Sequence, residues 1–371
     1  MKHAKLSASG AHRWLGCAGS VKAESKQPRG GSSRFAMEGS AAHELAELCL
    51  TEGVKPFDMV GKTLEGYADF PVDDEMASSI QQYIDYINAI GADVTMTEER
   101  VDFSDWVPEG FGTSDVIAVK GDTLHVVDLK YGKGIKVYAE DNPQGLLYAL
   151  GAYAMLDLAY DIKHIVISIV QPRIDHIDEW TLTTEKLLAW GNWVSEKASL
   201  ALTDDAPRTA SEKACQWCSV KATCPALKKL TDDAVMGDFD NCDESPDTLS
   251  DEQLTFVLTH KKLIVSWFDA IESLIRERLD GGVGFDGYKL VAGRNSRSWV
   301  NADDANIALT DLLGDGRHVV KLITPAAAEK ALGKTKAKDI HDLIRTNQGS
   351  PTIAPESDKR PAVNVTLADF D

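Results

Sequence analysis

The chain is poor in the features that would place it in several large protein classes. Only 6 of its 371 residues are cysteine, far too few for a disulfide scaffold, and a reducing compartment is expected. No stretch approaches the roughly 18 consecutive apolar residues of a membrane-spanning helix, so no membrane partner is expected. The opening Met1-Lys-His-Ala-Lys-Leu-Ser7 lacks the apolar core of a secretory leader, and a cytoplasmic location is expected. Basic residues are in the minority, 39 against 58 acidic, for a net charge of −19. A protein that coats nucleic acid through bulk positive charge is thereby excluded, but not an enzyme that meets it through a local basic strip or a metal-filled cleft. No internal repeat is visible. What is present, 43% apolar and 26% charged residues with a mean hydropathy of −0.21, is ordinary globular composition with material for a sizeable core.

Periodicity predicts the order helix, antiparallel strands, helix, strand, an α/β core. Helices are expected from Ser9 to about Leu15, capped by Ser7 or Ser9, from Phe35 to Leu50 and from Asp74 to Ile90. Short β-branched runs follow at Val94–Val101, Thr113–Lys120 and Leu124–Leu129, the last two joined by the turn signal Gly121-Asp122. A helix from Pro143 to Leu158, a buried strand from His164 to Val170 and a helix from Thr184 to Leu202 complete the core. Residues 1–237 are expected to form one domain, 238–250 an acidic linker, 251–346 a mainly helical region with a possible strand at Tyr288–Ala292, and 347–371 a mobile tail.

Two strands carry the sharpest chemical signal. Asp128 and Lys130 are two residues apart and share a strand face where a buried run emerges; the hairpin can bring Asp115 of Gly112-Thr-Ser-Asp115 beside them. Two carboxylates flanking an ammonium suit phosphodiester hydrolysis, because Mg²⁺ takes oxygen ligands and a nearby lysine adds charge stabilisation. His43, in Gly39-Ser-Ala-Ala-His43, can complete a metal shell, and Gln144 and Tyr148 lie one helical turn apart just after the lysine. Alone, each of these has a bland reading as surface alternation, a structural histidine or helix polarity.

Taken in order, Gly39-x-x-x-His43, Gly112-Thr-Ser-Asp115, Asp128-Leu-Lys130 and Gln144-x-x-x-Tyr148 resemble the motifs of the RecB-like branch of the PD-(D/E)xK nuclease superfamily. The resemblance implies a restriction-endonuclease-like fold, a central mixed sheet flanked by helices. It implies His43, Asp115 and Asp128 as ligands of Mg²⁺ or Mn²⁺, Lys130 as catalytic, and Gln144 and Tyr148 as its supporting pair. The proline of the superfamily name is replaced by Ser114.

The cysteines extend the likeness. Cys215-x₂-Cys218-x₅-Cys224 is a ligand-type cluster one thiolate short of a closed site. Cys17, Cys49 and Cys242 are the candidates for the fourth, with Cys49 falling on an apolar helical stripe. RecB-like nucleases with an iron–sulfur staple, such as the bacterial AddB subunit and the CRISPR-associated exonucleases, pair one cysteine before the core with such a cluster after it. The resemblance implies a [4Fe–4S] cluster on Cys17, Cys215, Cys218 and Cys224, with structural Zn²⁺ as the alternative four-cysteine group. Lys133 and Lys136, just past the catalytic strand, are the candidate DNA contacts. The expected activity is a metal-dependent DNA exonuclease of a phage or prophage in a bacterial cell, acting in DNA processing or recombination, with a recombination or single-strand-binding protein as a possible partner. The competing readings are a catalytically silent DNA-binding or scaffold protein that keeps the fold and, resting on charge alone, an acidic interaction protein.

Overall fold

The computed structural model describes residues 4–27, 33–236, 250–284 and 286–288. The expected linker other than Ser250, the possible strand beyond Tyr288, the tail and Cys242 lie outside the described residues.

A five-stranded mixed sheet forms the centre, in the order β1 (Val94–Asp102), β2 (Phe111–Lys120), β3 (Thr123–Leu129), β4 (His164–Gln171), β5 (His176–Thr183). β1, β2 and β3 run antiparallel as a meander. The two-residue turn Gly121-Asp122 closes the β2–β3 hairpin with Gly121 at φ 58°, a value only glycine reaches cheaply. β3 and β4 are parallel, joined by the crossover helix α5 (Pro143–Leu156). β5 returns antiparallel at the edge. The helix–strand order and α/β architecture expected from periodicity are therefore present.

β5 is an addition to that expectation. Its residues His176-Ile-Asp-Glu-Trp-Thr-Leu-Thr alternate in burial, but an outer edge with Asp178 and Glu179 in the middle leaves no apolar run to read. The first helix also differs: α1 spans Ala11–Gly16, with Gly10 at its N-cap and no side-chain cap. The Ser7 hydroxyl instead accepts from the Gly10 amide at 3.2 Å, so it fixes the turn before the helix rather than its first turn.

Alternation along the strands sends side chains to two separate cores. One face, with Ile117, Val119, Leu124, Val126, Ile165 and Ile167, packs under α5, α6 (Thr184–Ala201) and α1. The other, with Val116, Ala118, Val127 and Val170, packs on α3 (Arg34–Glu52) and α4 (Asp74–Ile90). α4 has the bounds its pattern predicts. Asp73 accepts from the Met76 amide at 2.7 Å, Gly91 ends the helix at φ 62°, and Met76, Ile80, Tyr83 and Ile87 form the buried stripe. α2 (Ser20–Glu24) continues from α1. Three α-helices follow α6 among the described residues: α7 (Glu212–Cys215), α8 (Pro225–Met236) and the long α9 (Asp251–Asp280). α9 begins with a Ser250–Gln253 capping box and rests on α8 and the cysteine segment, Leu263 lying with Cys215, Cys224 and Leu227.

α5 approaches the sheet closely at one point. A Cβ added to Gly145 would come within 2.5 Å of Ile167 Cγ2. Gly145→Ala is therefore expected to lift the helix that carries Gln144 and to destabilise the fold by about 1–3 kcal/mol. A urea midpoint equal to that of the wild type would show that the contact is not tight.

Candidate metal centre and cysteine clasp

The site lies where β2 and β3 part. Their ladder ends at Val116–Val127, and beyond it the Leu129 amide finds the Asp115 side chain, donating to Oδ2 at 2.7 Å. The Lys130 amide continues the pairing with β4 by donating to the Val170 carbonyl at 2.9 Å. This splay presents Asp115, Asp128 and Lys130 toward the start of α5, whose Asn142 cap accepts from the amides of Gln144 and Gly145 and fixes the position of Gln144.

Gln144 then bridges the motif. Its Nε2 donates to Asp128 Oδ1 at 2.9 Å, and its Oε1 accepts from Lys130 Nζ at 3.0 Å. Lys130 Nζ also lies 2.8 Å from Asp128 Oδ2. Tyr148 Oη sits 3.5 Å from Gln144 Nε2, and its ring covers Gly112, where a Cβ would come within 2.7 Å of Cε1. The glycine of the Gly-Thr-Ser-Asp motif is thus the gap into which Tyr148 fits. Burial presses the Lys130 pKa down, but Asp128 and Asp115 outweigh it and hold the amine above its usual value, so it stays an ammonium. Burial pushes the Asp128 carboxyl up, with Lys130 pulling against it.

On the other side of Asp115, His43 of α3 places Nδ1 3.3 Å from Oδ1. Burial opposes the charged imidazolium, yet Asp115 lifts the net His43 pKa above its usual value. The third member here is Glu98, a residue the motifs did not single out. One ligand atom each from His43, Glu98 and Asp115 lie within 4.8 Å of one another, a donor set of one nitrogen and two carboxylates. In the β1–β2 register Thr97 faces Val116 and Glu99 faces Ser114, so Glu98 faces Asp115. Its φ of 49° is one of four positive values among described non-glycine residues, a strain of the kind that collects at functional sites. Burial, followed by Asp115, pushes its carboxyl up to about 7. Of the three expected ligands, His43 and Asp115 thus group with Glu98, while Asp128 stands beside them, engaged by Gln144 and Lys130.

Orphaned polar atoms cluster in the same place. Tyr83 Oη is buried without a hydrogen-bond partner, as is Ser114 Oγ next to Asp115, and Asp128 Oδ2 has only its ion pair with Lys130. Burial and then the Asp115, Asp128 and Glu98 carboxylates raise the Tyr83 hydroxyl well above the usual tyrosine value. An oxygen-rich, partly unsatisfied pocket with one imidazole fits a hard divalent cation with bound waters.

The N-terminal segment also meets the cysteine segment. Thr209 N–H donates to Cys17 Sγ at 3.3 Å, and Gly16 packs against Ala214. Arg13 Nη1 donates to the Trp217 carbonyl at 3.0 Å and pairs through Nε with Glu24 at 2.7 Å; Glu24 in turn accepts from Ser219 N–H at 2.8 Å. Cys215 is raised by burial, with Cys224 and Cys17 adding to the shift, and Cys218 is pushed up to about 11, chiefly by burial. All four are free thiols on segments that these contacts join, and an all-sulfur donor set is the chemistry of an iron–sulfur cluster or zinc, but among the described residues no three of their sulfurs lie within 4.8 Å of one another. Cys49 sits apart, buried in the α3–α4 core.

Lys133 is exposed but occupied. Its Nζ lies 2.8 Å from Glu75 Oε1 and donates to Oε2 at 2.9 Å, and Arg173 shares Glu75 while stacking on Tyr131. Lys136 is exposed on the same loop.

Glu98→Gln keeps the side-chain shape and removes one anionic donor. Mn²⁺ affinity, read by calorimetry, should fall on the order of tenfold, whereas Lys133→Ala should leave it unchanged. Equal affinity in the wild type and Glu98→Gln would remove Glu98 from the shell.

A solved protein described as "Crystal structure of SSO0001" is similar at 13% identity, over 58% of this chain and 96% of that one, with a TM-score of 0.25, a likeness that carries no argument. The chain matches one family profile, "Protein of unknown function (DUF2800)", over residues 3–361, nearly its whole length, and it belongs to that family.

Proposed function

We propose that the protein is a divalent-metal-dependent DNA nuclease of the RecB-like PD-(D/E)xK kind, an exonuclease that hydrolyses phosphodiester bonds in phage DNA processing or recombination. One observation carries this reading. Asp128, Lys130 and Gln144 form a closed hydrogen-bonded and ionic unit directly beside the His43–Glu98–Asp115 group.

The chemistry divides among these residues. His43, Glu98 and Asp115, with Asp128 adjoining, would hold a Mg²⁺ or Mn²⁺ ion, which supplies charge neutralisation at the phosphate and acidifies a water. Lys130 has three N–H donors; Asp128 and Gln144 engage two, and the third remains to meet a phosphate oxygen or orient the attacking water. Gln144 holds lysine and carboxylate at a fixed separation, so the ammonium is positioned before substrate arrives. Leu129 N–H occupies Asp115 Oδ2, leaving Oδ1 to face the ion site. At the clasp, Cys17, Cys215, Cys218 and Cys224 would hold a [4Fe–4S] cluster whose role is to tie the N-terminal segment to the end of the core.

The test is incubation of the purified chain with end-labelled linear and circular DNA in Mg²⁺, Mn²⁺ or EDTA. Metal-dependent loss of linear DNA is expected, and Asp128→Ala or Lys130→Ala should abolish it without loss of fold. Wild-type-like cleavage by Asp128→Ala would overturn the assignment, and no cleavage by the wild type in any metal would favour the catalytically silent DNA-binding scaffold.

The clasp gives a second expectation. Anaerobic purification should yield brown protein with about four irons per chain. Cys17→Ser should be nearly as damaging to stability as Cys218→Ser, and Cys49→Ser mild. Stoichiometric zinc without iron would identify the tetrahedral alternative, and a full metal complement in Cys17→Ser would remove that ligand.

A further inference from the structure

A groove with no part in the chemistry above opens next to the metal centre. It is a cavity of about 340 Å³ whose walls include His12 of α1, Asp141 and Pro143 at the entry to α5, Trp190 and Trp193 of α6, and Lys213 of α7. Pro143 is the residue before Gln144, so the chain runs directly from the groove's lining into the catalytic unit.

Its lining combines apolar faces with cations. Trp190 and Trp193 lie one turn apart on α6 with ring centroids 6.2 Å apart. Trp190 rests partly on the core, whereas Trp193 is 44% exposed. Burial in the fold gives no reason for a tryptophan there, since its apolar area remains in water. Lys197 lies over the Trp193 ring, 5.6 Å from its centroid. Lys213 stands at the cavity wall in a chain of net charge −19, where a local cation is notable. Burial, then Lys213 and Lys130, hold the His12 pKa below its usual value; the imidazole is neutral at neutral pH and within electrostatic reach of the catalytic lysine. Asp141 takes the left-handed backbone region at φ 53°, and its carboxylate can accept from an amino or imino N–H.

Flat aromatic surface, flanking cations and one acceptor are the chemistry that holds an unpaired base with its phosphate. The volume is at the lower end for small-ligand sites, enough for one nucleotide and too little for a duplex.

We propose that this groove is a nucleotide subsite, in which one unpaired base of single-stranded DNA stacks on Trp193 and Trp190 while Lys213 meets the neighbouring phosphate. The inference rests on the nuclease reading for the strand's destination, but binding itself needs neither metal nor cleavage. An unpaired end seated here leads past Pro143 to Lys130, so the substrate class it selects is single-stranded or frayed DNA.

The experiment uses the full chain in EDTA, with tryptophan fluorescence read during titration with an eight-nucleotide oligo(dT) and, separately, a blunt twelve-base-pair duplex. Oligo(dT) should quench the wild type, and the duplex should quench it far less. Trp193→Ala should weaken oligo(dT) binding, read by anisotropy of a labelled oligonucleotide, about 5- to 150-fold, the range for one stacked base. Trp193→Phe should recover most of that loss. Unchanged binding in Trp193→Ala, equal loss for the duplex, or no binding of oligo(dT) by the wild type would each overturn the subsite. Absence of metal-dependent cleavage in a wild type that still shows the quench would overturn the nuclease reading and leave the subsite standing.

Discussion

A single substitution of hydrogen-bond acceptor shapes the centre of the molecule. Through Val116–Val127, β2 and β3 pair backbone to backbone; at the next step the Leu129 amide is taken by the Asp115 carboxylate. A buried amide must be satisfied somewhere, and satisfying it with a side chain lets the strands separate without leaving an orphan donor. The separation admits Gln144 from α5 on one side and His43 from α3 on the other. It also fixes one oxygen of Asp115, so the carboxylate has one defined free edge. β3 keeps its pairing with β4 through Leu129–Val170, and the platform under Asp128 stays rigid while its other border opens.

The electrostatics follow from that opening. Asp115, Asp128 and Glu98 converge against Lys130 and His43, and burial acts on every one of them. Lys130 resolves part of the conflict as a paired ammonium. Glu98, pushed up to about 7, and the unpartnered Tyr83 hydroxyl carry the rest of it, and in the proposed nuclease a divalent cation would offset both. Polar groups that are expensive to bury are kept where a charged ligand can compensate them. The cost of this arrangement is strain at Glu98 and unsatisfied hydroxyls at Tyr83 and Ser114.

How much of this could be read from the sequence depended on whether a residue's signal was local. α4 was legible to its ends because Asp73 and Gly91 are strong cap signals around a clean apolar stripe. Asp115, Asp128 and Lys130 were legible from strand spacing, Gln144 and Tyr148 only through the ordered motifs that resemble a nuclease family, and the structure brings all five together. Glu98 was not: in Thr97-Glu98-Glu99-Arg100 it reads as solvated strand charge, and only its cross-strand position and positive φ distinguish it. β5 was hidden by the acidic middle of an edge strand. Lys133 looked free because Glu75, its partner, lies 58 residues earlier in the chain. The Trp190–Trp193 groove draws on four helices, and no window of sequence contains it.

The Cys17–Thr209 contact spans 192 residues, and it bears on the order in which the chain becomes a protein during synthesis. At about 5–20 residues per second, roughly 10–40 s pass between the ribosome's release of α1 and the emergence of the segment that receives it. Throughout that interval Leu6, Ala11 and Trp14, which end in the α5–α6 core, have only part of their final surroundings. Helix α1 is thus made before the core it packs on and is among the last elements to be locked. A nascent chain stalled after the sheet is complete would keep the apolar seam beneath α1 only partly closed until the cysteine segment arrives.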